Sequence, residues 1–143
     1  MSTWKTILVG VDGSRGSRKA LTWAAAEAAE HGADLIVVHV WERTLPSPAG
    51  TPSVPDHPAT ETSEDAGGEL VQVITEELGE NPPVVAQPRV KRGRPAEVLI
   101  EESAGADLLV VGTRGHGGFA GLLLGSVSQH VAAYAQCPVT VVR

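Results

Sequence analysis

The sequence predicts an α/β domain, an open five-stranded parallel sheet with helices on both faces. Three observations lead there. Short runs rich in Val, Ile and Leu occur at residues 5–11, 34–41, 84–91, 107–112 and 139–142. Stretches between them carry apolar residues at three- and four-residue spacing, the period of a half-buried helix. The order reads β-α-β, a long connection, then α-β-α-β-α-β. Strands that alternate with helices need crossovers rather than hairpins, so the sheet is parallel and covered on both sides.

The elements follow in order. Residues 5–11, KTILVGV, form the first buried strand. Asp12-Gly13-Ser14 breaks it, and Ser14 can cap a helix over about 15–31. Ala20, Leu21, Ala24, Ala25 and Ala28 share one side of that helix, with Lys19, Thr22 and Glu30 on the other. Small alanines suit close packing on a sheet, and Gly32 supplies the stop. Asp34 to Trp41 is the second strand, with His39 an ordinary member of it. Residues 43–60 hold Pro46, Pro48, Pro52, Pro55 and Pro58 and read as a long exposed connection. That connection is either a passive linker or a segment that covers the site or docks a partner.

Leu70, Val73, Ile74, Glu77 and Leu78 mark a helix over 62–79, whose start Gly67-Gly68 should delay. Residues 84–91 are a third strand, and Pro88, lacking an N–H, places it at an edge. Pro95 opens a third helix over about 95–104, with Ala96, Leu99 and Ile100 inward. Residues 107–112 are almost continuously apolar, hence a strand covered on both faces. A fourth helix over about 126–136 should turn Val127, His130, Val131 and Tyr134 inward, and Pro138 leads into a fifth strand, 139–142.

At 143 residues, with 42% hydrophobic and 20% charged residues, the chain suits one domain with a true core. Only 3% are aromatic, so that core is aliphatic. No apolar run approaches the roughly 20 residues of a membrane span. Met1 to Lys5 lack the apolar stretch of a signal peptide, and the single Cys137 fits a reducing compartment, so a cytoplasmic location is expected. Cys137 reads as a small core residue rather than a reactive thiol. A net charge of −6 without a dense Lys/Arg stripe disfavours nucleic acid as a partner. His31 and His57 show no metal-ligand spacing.

The stretch with most chemistry is Val110 to Val127, VVGTRGHGGFAGLLLGSV, which holds Gly112, Gly115, Gly117, Gly118, Gly121 and Gly125. It runs from a strand, through a glycine-rich loop, into a helix start. Glycines let backbone N–H groups approach phosphate oxygens, and a helix N-terminus adds about half a positive charge. Backbone groups of Gly112, Thr113, Arg114, Gly115, His116, Gly117 and Gly118, and of Gly125, Ser126 and Val127, can cradle phosphates. Ser126 adds a hydroxyl, Arg114 a fixed positive charge and His116 one that switches near neutral pH.

The spacing says more than the glycine count. Gly112, Gly115 and Gly125-Ser126 follow the pattern G-x2-G-x9-G-[ST]. With Ile7-Leu8-Val9-Gly10-Val11-Asp12-Gly13-Ser14 at the start and Cys137-Pro138-Val139-Thr140-Val141-Val142 at the end, the chain resembles the nucleotide-binding branch of the universal stress protein family. The resemblance runs from Lys5 to Arg143. It implies a Rossmann-like sheet of order 3-2-1-4-5, so the winding reverses between strands one and four, where Asp12 and Gly112 sit and ligands bind. It implies ATP as ligand, with Asp12 on the ribose hydroxyls, the Val40 backbone against the adenine edge, and Gly10 and Ser14 close by. An Asp at this tip can instead hold Mg²⁺. Trp41 either flanks the base or shields the strand end. The resemblance also implies a stress-response regulator, an antiparallel homodimer through the last strand and a further protein partner. Family members that bind cyclic AMP, or that act on ATP slowly by hydrolysis or by phosphoryl transfer to their own hydroxyls (here Ser126 or one nearby), supply two other readings.

Enzyme signatures are sparse. The chain has no G-x4-GK-[ST] loop, no Gln, Glu or Asp within 112–127 to orient water, and no G-x-S-x-G elbow or kinase signature. Val11-Asp12-Gly13-Ser14 does not match the Ser-Gly-Gly-x-Asp-Ser loop of ATP pyrophosphatases. A flavin-binding electron-transfer domain shares the general fold, but the glycine spacing favours ATP. The expectation is a site that holds a nucleotide and turns it over slowly if at all.

Overall fold

Five strands are laid side by side in the order β3-β2-β1-β4-β5, all parallel, in a computed structural model that describes residues 4–41, 63–113 and 125–143. The strands are β1 (Thr6–Gly10), β2 (Asp34–Trp41), β3 (Ala86–Arg92), β4 (Leu108–Gly112) and β5 (Val139–Val142). The helices are α1 (Arg15–His31), α2 (Ser63–Leu78), α3 (Pro95–Ser103) and α4 (Ser126–Tyr134). The expected sheet order is found, and so are the four expected helices among the described residues. The Pro-rich connection, 43–60, lies outside the described residues.

Burial explains why β1 and β4 are central. Ile7, Leu8, Val9, Leu109 and Val110 are at most 1% exposed. Each such aliphatic side chain contributes about 1.5–3 kcal/mol relative to its exposed state. Alternate residues serve two separate cores: Ile7, Val9, Leu35 and Val37 meet α1 and α2, while Leu8, Val38 and Leu109 meet α3 and α4. Asp107 fixes the opposite end of the β1–β4 pair, its carboxylate accepting hydrogen bonds from the backbone of Lys5 and Thr6, both at 2.9 Å.

Helix α1 behaves as its residues predict. Ser14 caps it by accepting from the Ser17 N–H, and Gly32 ends it at φ 64, a left-handed conformation that glycine adopts without strain. Its buried side carries Ala20, Leu21, Ala24, Ala25 and Ala28.

Pro88 does lie in an edge strand. The Gly93 N–H donates to the Trp41 carbonyl, so odd-numbered residues of β3 turn their backbone groups toward β2. Position 88 then faces the open edge, where no donor is needed.

Three expectations are corrected. Helix α2 begins at Ser63, so Gly67-Gly68 does not delay it. Ala66 is fully buried and a Cβ on Gly67 would come within 3.8 Å of Val90, so packing on the sheet holds the early turns despite their weak propensity. Strand β3 begins at Ala86 rather than 84, and Val85 is 78% exposed. In α4, His130 and Tyr134 face outward, stacked edge-to-face with ring centroids 5.3 Å apart. Ser128 and Val131 are the buried residues, and α4 ends at Tyr134 rather than 136. The hydrogen bond from Ser128 Oγ to the Thr113 carbonyl, 2.8 Å, sets that rotation.

Candidate functional site

The carboxyl ends of β1 and β4 are neighbours, joined through the pairs Ile7–Leu108, Leu8–Leu109 and Val9–Val110. Past these pairs the chains diverge, β1 into α1 on one face and β4 toward α4 on the other. The winding changes direction there, and in sheets of this kind such a point is where ligands bind.

On the β1 side, Val11 continues the strand by donating its N–H to the Val38 carbonyl at 2.8 Å. Asp12 then enters a tight polar knot. Its Oδ1 accepts from both the backbone N–H and the hydroxyl of Ser14, and its own N–H donates to Ser17 Oγ at 3.2 Å. Ser17 Oγ in turn donates to the Ser14 carbonyl. Gly13 makes the bend at φ 83. Ser14 therefore both caps α1 and aims Asp12, and Ser17 is a support that the sequence reading missed. Its spacing of three from an N-cap serine was the available signal.

His39 is a second missed support. It is 7% exposed, and its Nδ1 lies 2.9 Å from the Val11 carbonyl, a geometry in which Nδ1–H donates. The bond ties β2 to the segment that delivers Asp12. Polar chemistry inside the apolar run DLIVVHVW was the only hint.

Packing is tight at both Gly10 and Gly112. A Cβ on Gly112 would stand 2.7 Å from the Gly16 carbonyl carbon and oxygen, so the β4 tip touches the first turn of α1. A Cβ on Gly10 would meet Leu99 Cδ1 at 3.0 Å. These contacts bring the tips of β1 and β4 against α3 and α1 respectively.

Beyond Gly112, Thr113 donates its N–H to the Val142 carbonyl at 3.1 Å. Its carbonyl accepts from the Gly125 N–H and from Ser128 Oγ. Residues 113 and 125 are thereby clasped together just beyond the end of β4. The predicted site residues Arg114, Gly115, His116, Gly117 and Gly118 lie outside the described residues. Gly125 is the N-cap of α4 and has no side chain to satisfy the first turn. The Gln129 N–H to Gly125 carbonyl bond is the first of the helix, so the N–H groups of Ser126 and Val127 have no intrahelical acceptor. Ser126 is exposed there.

At the end of β2, Val40 packs its side chain into the core beneath α3 and α4, leaving its backbone at the strand tip. Trp41 is covered by the Arg92 guanidinium, 5.4 Å from the ring centroid. Cys137 packs against the same core, and burial pushes its thiol pKa up, away from the reactive thiolate. Among the described residues, no group of three or more His, Cys, Asp or Glu is placed to hold a metal ion. No described helix is long and apolar enough to cross a membrane.

Comparison with known proteins agrees with this geometry. The model of the universal stress protein family matches residues 3–143. A universal stress protein of Mycolicibacterium smegmatis is 42% identical over 138 residues, 96% of this chain and 45% of that protein. The chain thus spans about half the length of such relatives. A universal stress protein of Thermus aquaticus is 39% identical over 146 residues, with 98% of this chain and 99% of that one covered. Among solved structures, a universal stress protein in complex with cAMP superimposes with a TM-score of 0.65 at 30% identity, covering 99% of this chain and 98% of the other.

Proposed function

The chain belongs to the universal stress protein family, and from that premise we propose that it is a stress-response regulator which binds ATP at the carboxyl ends of β1 and β4. The observation that carries the proposal is the first turn of α4. Glycine caps it, Ser126 is exposed on it, and the clasp between Thr113 and Gly125 holds it beyond the end of β4, the strand paired with β1. Unsatisfied N–H groups at a helix start favour phosphate, and the residues present fit it.

In this reading Asp12 receives the ribose hydroxyls, with Gly10 and Ser14 shaping its tip. The Val40 backbone meets the adenine edge. Gly112 to Gly118, including Arg114 and His116, and Gly125 to Val127 surround the phosphates. Any Mg²⁺ bound with ATP would be held by its phosphates and would supply charge neutralisation there. The whole chain acts as one cytoplasmic domain that pairs with a second copy, and the ligand biases its choice of protein partner.

Native mass spectrometry of the purified protein tests the ligand directly. A mass increment equal to ATP is expected. Calorimetry should then show Asp12→Asn weakening ATP about ten- to a hundredfold, the usual worth of a charged hydrogen bond. A folded chain that carries no nucleotide and gives no binding heat with ATP would refute the assignment. The solved relative in complex with cAMP favours one second reading, cyclic AMP as ligand; an increment of that mass would select it.

A further inference from the structure

Apart from the proposed nucleotide site, one surface gathers charge that no other described residue neutralises. Among the described residues Arg18, Arg89, Lys91 and Arg94 are ion-paired, and Arg92 lies on Trp41. Lys5, Arg15, Lys19 and Arg143 make no ion pair with another described residue. Three of these four, Arg15, Lys19 and Arg143, line a single open groove of about 760 Å³.

The groove follows the exposed side of α1 and reaches the end of β5. Its walls mix chemistry: Trp23 and Val142 are half-buried apolar residues, and Thr22 is exposed beside them. Glu77 is the acidic wall residue, and Arg18 pairs with it at 3.2 Å, so it does not offset the three cations. On a chain of net charge −6, a positive groove is a local reversal of the protein's field. Such a reversal steers a negative partner to that place and repels it elsewhere.

We infer that this α1–β5 groove docks an acidic segment of another protein, an extended peptide of Asp and Glu with an apolar residue between them. The cations take the carboxylates, and Trp23 with Val142 takes the apolar side chain. A groove of this size and mixed lining fits a peptide better than a small inorganic ion. Gly13, next to Asp12, forms part of the same wall, so docking borders the β1 tip without using a nucleotide-binding group.

The test is fluorescence anisotropy of a fluorescein-labelled peptide of alternating Asp, Glu and Leu, titrated with the full chain at low ionic strength. Saturable binding is expected, weakening with salt, since charges are screened beyond about 10 Å at 0.1 M. Lys19→Glu combined with Arg143→Glu should weaken it about tenfold or more, because attraction becomes like-charge repulsion. Lys19→Gln alone should give a smaller loss. Lys5→Glu reverses the unpaired cation outside the groove and should leave binding unchanged. Circular dichroism and ATP affinity should be the same in every variant. Equal weakening by Lys5→Glu, unchanged binding in the double variant, or displacement of the peptide by inorganic phosphate or single-stranded RNA at matched charge would each overturn the docking site.

Discussion

Gly112 shows how much one missing side chain can position. Its added Cβ would press on the Gly16 backbone at 2.7 Å, whereas the one on Gly10 would meet the flexible end of Leu99 at 3.0 Å. Backbone cannot step aside as a leucine methyl can. Gly112→Ala should therefore destabilise the protein by about 1–3 kcal/mol, the usual range for overpacking. Gly10→Ala should cost less. Urea unfolding of the two variants decides this, and equal midpoints would contradict the contact between β4 and α1. The glycine motif was legible in the sequence; that its first glycine serves helix packing was not, because Gly16 lies far away along the chain.

At the scale of single elements, β5 is the informative one. Its register on β4 uses the carbonyls of Pro138 and Val142, which accept from Leu109 and Thr113. Even-numbered residues thus turn their backbone inward, and Val139 and Val141 turn theirs to the open edge. An apolar edge strand whose outward donors meet no described residue invites a second chain, and a two-fold pair is the commonest outcome. Val141→Pro removes an outward N–H and no bond to β4, so it should yield monomers that remain folded. Light scattering should report about twice the 14.8 kDa chain mass for the unaltered protein and a single chain mass for the variant. A single chain mass for the unaltered protein at tens of micromolar would rule out the dimer.

Across the whole molecule, two properties follow from distributed features. Arg18 of α1 reaches Glu76 and Glu77 of α2 at 2.8 and 3.2 Å and links the two helices on one face. The hydrogen bond from Arg18, helped by Gln72, holds the Glu76 carboxyl below its ordinary pKa. A carboxyl depressed in the folded state stabilises above its unfolded pKa and loses that contribution as pH falls through the folded value. Stability should therefore fall on acidification below the ordinary carboxylate range, and Glu76→Gln should flatten that slope in thermal melts at a series of pH values. An unchanged slope would remove the ion pair from the account. The second property is turnover. The chain offers no phosphate-loop lysine and no acid or amide within 112–127 to place a water. ATP hydrolysis should run below about 0.1 per second, far under the usual enzyme median near 10 per second. Steady-state phosphate release of several per second would make the protein an enzyme.

Local chemistry settled most of the architecture from the sequence alone. Short Val- and Ile-rich runs, a serine cap, a glycine stop and Pro88 at an edge depend on neighbours along the chain, and β2 and β5 fall on their predicted residues. The positions of the candidate residues were legible for the same reason: Asp12 and Gly125-Ser126 stand where a strand breaks and a helix begins. The resemblance carried the strand order, which the structure bears out. Tertiary structure decided what depends on partners distant in the chain. It rotated α4 so that Ser128, not His130, faces the sheet, and it held α2 helical through Gly67-Gly68. It gave His39 a carbonyl to bind, and it collected Arg15, Lys19 and Arg143 into one groove. Each of these rests on a contact whose two halves carry no mark of one another in the linear sequence, because burial and hydrogen bonding are chosen only when the elements meet.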